Sequence, residues 1–234
     1  MAREQTSSVP RAFWIPQSVS EHYHVAGAST HYRRRPRSGM EYATRPLSEL
    51  FTDIASPSVA PAGGTAGAVV AATGTALCEM ACIHLRAADA PTDVDLVELE
   101  AELEGHRKRL LTLGSADAAV VEALFGSDGE AGHSARKRSV GVPLALAESC
   151  LAALEAAAAA VTGASDRPVV ADAVTGAYFL EAALRSAVAT AQGNLASVDE
   201  QSFRAATERR LSELETSADR LFRDVTESAD AGAQ

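Results

Sequence analysis

The stretch best suited to meet a charged ligand is the loop around Pro57–Thr65. It carries Pro57, Pro61, Gly63, Gly64 and Thr65 and leads straight into a long helix of Ala, Val, Gly and Thr. The first turn of a helix offers backbone N–H groups without intrahelical partners, together with the positive end of the helix dipole. Pro61–Thr65 are therefore placed to receive an anionic group; a plain turn and cap is the alternative. Two carboxylates stand out among small neighbours. Asp117 lies mid-helix in SADAAVV, where a solvated face is the alternative to a chemical role. Asp172 lies near a helix start in VVADAVTG, where it could simply favour the dipole. Cys78 and Cys82 share a helix face and, with Cys150, read as small core residues. His84 is either a core-edge residue or a ligand contact, and His106 and His133 read as surface. His22 and His24 have no further ligands beside them, so no metal site is expected.

The elements that must position these groups follow from composition and periodicity. Hydrophobic residues make up 47% of the 234 residues and aromatics only 5%, which favours closely packed, alanine-rich helices over a β-sandwich. No stretch alternates with period two for long enough to read as a strand, and no apolar run reaches a membrane span without polar interruption. The three cysteines form no disulfide framework; a reducing cytoplasm is expected. Net charge is −10, unevenly placed. Residues 1–39 hold six Arg against two Glu, so the remainder carries −14, and an acidic body argues against nucleic acid as partner. Residues 1–43 are expected as a disordered basic arm, or as a stretch preceding a true start at Met40.

From Thr44 the chain is orderly. Thr44 is expected to cap a helix at Arg45–Ala55 with an apolar stripe of Leu47, Leu50, Phe51 and Ile54. The small-residue helix Ala66–Ala87 lacks a polar face and should sit at the bundle centre. A third helix is expected over Asp93–Phe125, capped by Thr92, with Val94, Val97, Leu103, Leu110, Leu111 and Leu113 inward and Gly114 as a candidate bend. A fourth spans Ala135–Val161, kinked or split at Pro143. A fifth, again small-residue, spans Pro168–Leu195 behind an Asp166 cap. A last, amphipathic helix runs from an Asp199 cap to about Ser228, with Leu211, Leu214, Ala218, Leu221 and Val225 inward. The expected architecture is an all-α bundle of five to six helices over residues 44–229, with a disordered tail at 230–234. Two small-residue helices are buried in it, and a homodimer is expected to cover part of their surface.

The order of motifs over 46–228 resembles the cyclodeaminase/cyclohydrolase family, the all-helical part of formiminotransferase-cyclodeaminase, also found alone as methenyltetrahydrofolate cyclohydrolase. LSELFTDIASPSVAPAGGTAGAVVAATGTALCEMAC resembles the family's opening helix, S-x-x-P-G-G-G-S loop and small-residue helix. Asp117, the Val142-Pro143-Leu144 kink, Asp172, Asn194-Leu195 and Asp199 resemble later motifs in the same order. Ala62 stands in place of the loop's first Gly, and a Gly-Lys-Lys-Tyr after the buried helix is missing. Ala171 replaces a Ser, and Thr190-Ala191-Gln192 replaces an Asn-x-Arg.

The resemblance implies a tetrahydrofolate derivative as substrate and no cofactor beyond it. The reaction would be formimidoyltetrahydrofolate cyclodeamination, or hydrolysis of the methenyl bridge. Asp117 and Asp172, facing one cleft, would move protons and stabilise positive charge at the reacting carbon. Burial and mutual proximity would push their pKa values apart. Pro61, Gly63, Gly64 and Thr65 would hold the substrate's glutamate carboxylate; Asn194 would bond the pterin or hold the loop. The alternative is a diverged, non-catalytic helical dimer that binds a folate or a protein partner.

Overall fold

In a computed structural model the chain is described over residues 43–90, 93–125, 129–162 and 167–231. These residues form six helices and no strand: α1 (Leu47–Ile54), α2 (Gly63–Ala87), α3 (Leu96–Leu124), α4 (Gly129–Val161), α5 (Arg167–Leu195) and α6 (Gln201–Ala231). The expected basic arm lies outside the described residues up to position 42. So do the expected Thr92 and Asp166 caps and the tail beyond Ala231.

Residue size decides the centre of the bundle. α2 packs along α3 on one side and α5 on the other, α4 packs against α3 and α5, and α6 covers α4 and α5. Helices α2 and α5 run antiparallel, with Gly67 opposite Ser186, Gly74 opposite Gly176 and Cys78 opposite Ala173. At their closest point the two backbones nearly touch: a Cβ on Gly74 would stand 2.6 Å from the Gly176 carbonyl oxygen. Gly114 of α3 approaches α2 in a similar way, over Ala68. It serves as a contact surface, where the sequence suggests a bend. The largest fully buried side chains are Leu and Val, among them Leu103, Leu110, Leu154, Leu180 and Leu211. The expected inner stripe of α6 holds, with Leu211, Leu214, Ala218 and Val225 buried and Leu221 packed at the core margin.

Several expectations are corrected. The small-residue helices are not buried all round: Val70 and Ile83 of α2 and Phe179 of α5 are exposed, and Tyr178, also exposed, stands edge-on to Phe222 of α6. α1 begins at Leu47 after Pro46, with no side-chain cap. It buries only Leu50, which packs with Ala60 and Ala118, and its Leu47 and Phe51 face outward. α3 starts at Leu96, capped by Asp95, whose carboxylate accepts from the Val97 and Glu98 N–H groups at 2.9 and 3.2 Å. Val97 is consequently in the exposed first turn, 60% accessible. α4 begins at Gly129, ahead of the expected Ala135, and runs through Pro143 without splitting. By length and composition α2 and Gly132–Val161 could cross a membrane. About half of their most apolar windows is buried inside the bundle (44% and 56%), and core helices meet the same criterion.

Candidate active site

The first turn of α2 is where chemistry-bearing groups converge. Ala62 precedes it in an extended conformation with no side-chain cap. Asp117, reaching over from α3, fills that role. The Thr65 hydroxyl lies 3.1 Å from Asp117 Oδ2 and 3.2 Å from the Gly114 carbonyl, its single proton available to either, and the Thr65 backbone N–H also donates to the carboxylate. The side chain comes this close because residue 64 is glycine: a Cβ there would stand 2.3 Å from Asp117 Oδ1. The positive end of α2, expected to hold a ligand's anion, thus already faces a carboxylate of the protein itself.

Asp117 is 7% exposed and Thr65 fully buried. Burial pushes the Asp117 pKa above the usual carboxylate range, and the hydroxyl and N–H of Thr65 pull it partly back. The net result is a carboxyl group with more affinity for a proton than a surface aspartate, seated against the hydroxyl and N–H of Thr65. Beside it lies a small recess of about 10 Å³, lined by Gly63, Gly64 and Gly67 of α2, Asp117, Pro143 and Leu146 of α4, and Ser186 of α5 among others.

Asp172 is elsewhere. It sits half-buried near the start of α5, next to Ala173, whose carbonyl faces the Cys78 thiol. From Gly64, which meets Asp117, to Cys78 is roughly 14 residues of α2, about 21 Å of helix. One chain therefore does not bring the two aspartates into one cleft, and antiparallel packing of α5 on α2 is the reason. Asn194 has a structural partner. Its side-chain Nδ2 donates to the Ser139 carbonyl at 2.7 Å. Ser139 lies four residues before Pro143, so its carbonyl has no helical N–H to accept from. Asn194 supplies the missing donor and ties α5 to α4 one turn from the recess.

This pairing makes a prediction. Asn194→Ala should cost about 1–3 kcal/mol, the penalty of an unsatisfied buried carbonyl. In a Pro143→Ala background the helix N–H returns and the Asn194→Ala cost should shrink towards zero. A double-mutant cycle by denaturant unfolding checks it; additive effects would show the two residues to be independent.

Other candidates fall away from the recess. Burial pushes the Cys78 thiol up to about 12 and Cys82 up to about 11, and Cys150 is raised as well; such thiols are inert packing groups. His84 is exposed in the last turn of α2, far from Asp117, and His106 pairs with Glu102 at 3.5 Å. Among the described residues no group of three or more His, Cys, Asp or Glu side chains could hold a metal ion. Sequence reasoning does not single out Gly67 or Ser186; the one available signal is the i, i+3 glycine spacing of Gly64 and Gly67 on a helix flanked by small residues.

A family model described as formiminotransferase-cyclodeaminase matches residues 46–213, which take in α1 to α5, the start of α6 and every site residue named above. The chain belongs to the formiminotransferase-cyclodeaminase family. The fold agrees. A crystal structure of formiminotetrahydrofolate cyclodeaminase from Thermotoga maritima superposes with a TM-score of 0.75 at 18% identity, covering 82% of this chain and 99% of that one. No curated protein matches the sequence significantly. Within the family match, Thr65 of the loop motif meets Asp117, Cys78 of the small-residue helix meets the Ala173 carbonyl, and Asn194 meets the Ser139 carbonyl.

Proposed function

We propose that this member of the formiminotransferase-cyclodeaminase family is a folate one-carbon enzyme that acts on the N5–carbon–N10 centre of a tetrahydrofolate, with Asp117 as proton acceptor. The observation that supports this reading is a buried carboxylate of raised pKa, fixed by Thr65 and opening onto a glycine-lined recess. In cyclodeamination N10 attacks the amidine carbon and ammonia leaves; in hydrolysis water opens the methenyl bridge. Each reaction takes a proton from the attacking atom, delivers one to the departing nitrogen and passes positive charge through the carbon. A single carboxylate with a raised pKa suits both tasks. Gly63 and Gly64, beside Asp117, border the reacting centre in this reading; the substrate's glutamate lies an aminobenzoyl group away, and the Pro61 loop is kept as its candidate contact. Asn194 enters the proposal as the residue that holds the recess wall.

A homodimer is part of the proposal. A groove of about 240 Å³ between α1 and α2 is almost wholly apolar, lined by Leu47, Phe51, Val70 and Phe179 among others. It continues the uncovered side of the α2–α5 pair, and a second copy is the occupant that a self-complementary apolar face favours. The three buried free cysteines support a reducing, cytoplasmic setting. The second reading, a non-catalytic relative that binds a folate or a protein, is favoured by one observation: Asp172 stands far from Asp117 within the chain.

The deciding experiment follows the ultraviolet absorbance of 5,10-methenyltetrahydrofolate with the purified chain. Enzyme-dependent loss of the band means hydrolysis; its appearance from 5-formiminotetrahydrofolate means cyclodeamination. Silence in both, at low and at molar salt, leaves the non-catalytic dimer.

A further inference from the structure

Ser186 shares the recess with Asp117, and its position has a chemical use. The other recess residues are glycine or apolar, so Asp117 and Ser186 are its polar side chains. They reach it from different helices, Asp117 from α3 and Ser186 from α5, at the first two turns of α2. The Asp117 carboxylate covers Gly64, while Ser186 Oγ would lie 4.0 Å from a Cβ on Gly67. Gly64 and Gly67 are three residues apart on α2, and the recess that both side chains line has a volume of about 10 Å³, the room that one water needs. Helical hydroxyls of this chain commonly turn back to the preceding turn, as Thr75 does to the Ala71 carbonyl and Thr190 to the Ser186 carbonyl. Ser186 Oγ makes no such bond; the residue is exposed and also lines the recess, so its hydroxyl is open to water there.

We infer that Ser186 holds the water that Asp117 deprotonates, and so equips this site for hydrolysis of the methenyl bridge. The inference rests on the folate reading above. The water oxygen bonds to the bridge carbon and its O–H bond breaks, the proton passing to the Asp117 carboxylate. The carbon–nitrogen π pair moves onto nitrogen and discharges the cation. The carbon–N5 bond then breaks with its electron pair on N5, and Asp117 returns its proton there. The remaining hydroxyl proton leaves to solvent as the formyl C=O forms on N10. Ser186 gives or accepts one hydrogen bond to the water and keeps its own proton throughout. Cyclodeamination has N10 as nucleophile and needs no such water.

The test compares wild type, Ser186→Ala and Ser186→Thr in both reactions. For methenyl hydrolysis, Ser186→Ala is expected to lower kcat roughly tenfold, the size of one hydrogen bond, with KM within about twofold, and Ser186→Thr to recover most of it. Cyclodeamination by the same variants is expected to stay at the wild-type rate. Equal hydrolysis by wild type and Ser186→Ala overturns the inference and leaves the folate reading standing. So does a matched loss in both reactions, or a rise in KM alone, since either marks a packing or substrate contact. A wild type that cyclodeaminates but does not hydrolyse also overturns it. A wild type inert towards both folates overturns the folate reading and this inference with it. Circular dichroism melting confirms that the variants fold.

Discussion

Asp117→Asn is expected to reduce turnover of either folate reaction by roughly 10²- to 10⁴-fold, the usual worth of a positioned acid–base group, while leaving the bundle folded. Asn is nearly isosteric. Its Oδ1 can accept from the Thr65 hydroxyl and N–H as the carboxylate does, so the contact over Gly64 survives. Only the capacity to take a proton is removed. Stability provides a second readout. Because burial raises the Asp117 pKa in the folded state, the folded protein binds a proton more tightly than the unfolded chain. The favourable term is therefore fully present below the unfolded value of about 4 and is lost as pH rises through the higher folded value. Relative to Asp117→Asn, wild type should lose stability on raising pH across that interval and hold a constant difference above it. Thermal unfolding of the two proteins from pH 4 to 8 measures the difference. A variant with full activity would remove Asp117 from the chemistry, and parallel pH profiles would mean its carboxyl is not perturbed by burial.

Gly74→Ala should be among the most destabilising single-methyl additions in this chain. Two effects oppose each other. Alanine is the better helix former by about 1 kcal/mol. At position 74, however, the new Cβ would stand 2.6 Å from the Gly176 carbonyl oxygen, 3.0 Å from Phe179 Cβ and 3.2 Å from Leu180 Cγ. The nearest atom is backbone and cannot swing aside, so α2 and α5 must separate along the seam that carries much of the core. Overpacking of this kind typically costs about 1–3 kcal/mol and sometimes more, which outweighs the propensity gain. Gly105, in the middle of α3, has nothing within 4 Å of its notional Cβ. There only the propensity effect operates, and Gly105→Ala should stabilise by up to about 1 kcal/mol. For a chain of this size 1 kcal/mol moves Tm by about 2–4 °C, so the two variants should melt on opposite sides of wild type. Equal shifts would mean that the α2–α5 seam yields without cost.

Much of the architecture is legible in the sequence alone. Leu211, Leu214, Ala218 and Val225 specify their own face by spacing, because a helix with one apolar stripe has one way to turn. The small-residue stretches tell of close helix contact but not of its extent. Val70 and Phe179 belong to helices with no charged face, and only the number of neighbours available reveals that one side stays uncovered. The site is half legible. Asp117, Gly64 and Thr65 each stand out by residue type and place, yet their contact joins residues some fifty positions apart and depends on the α2–α3 packing distance that Gly114 and Ala68 set. Pairing Asp172 with Asp117 rests on a matching of motifs, and motif order carries no information about which end of an antiparallel helix pair a residue occupies. Ser186 is invisible for the opposite reason, since a lone serine in an alanine-rich helix carries no pattern.

The hydrogen bond from Asn194 to the Ser139 carbonyl has a consequence for how this sequence can drift. Proline at 143 creates an acceptor that helix geometry cannot satisfy, and the amide at 194 is its remedy on a different helix. The two losses are not equivalent: losing the amide first strands a carbonyl, while losing the proline first makes the amide dispensable. Lineages that abandon the proline are therefore free to lose the asparagine afterwards, whereas the reverse order passes through a weakened intermediate. The pair should travel through descent as a ratchet, with a preferred order of loss written into the geometry of one carbonyl.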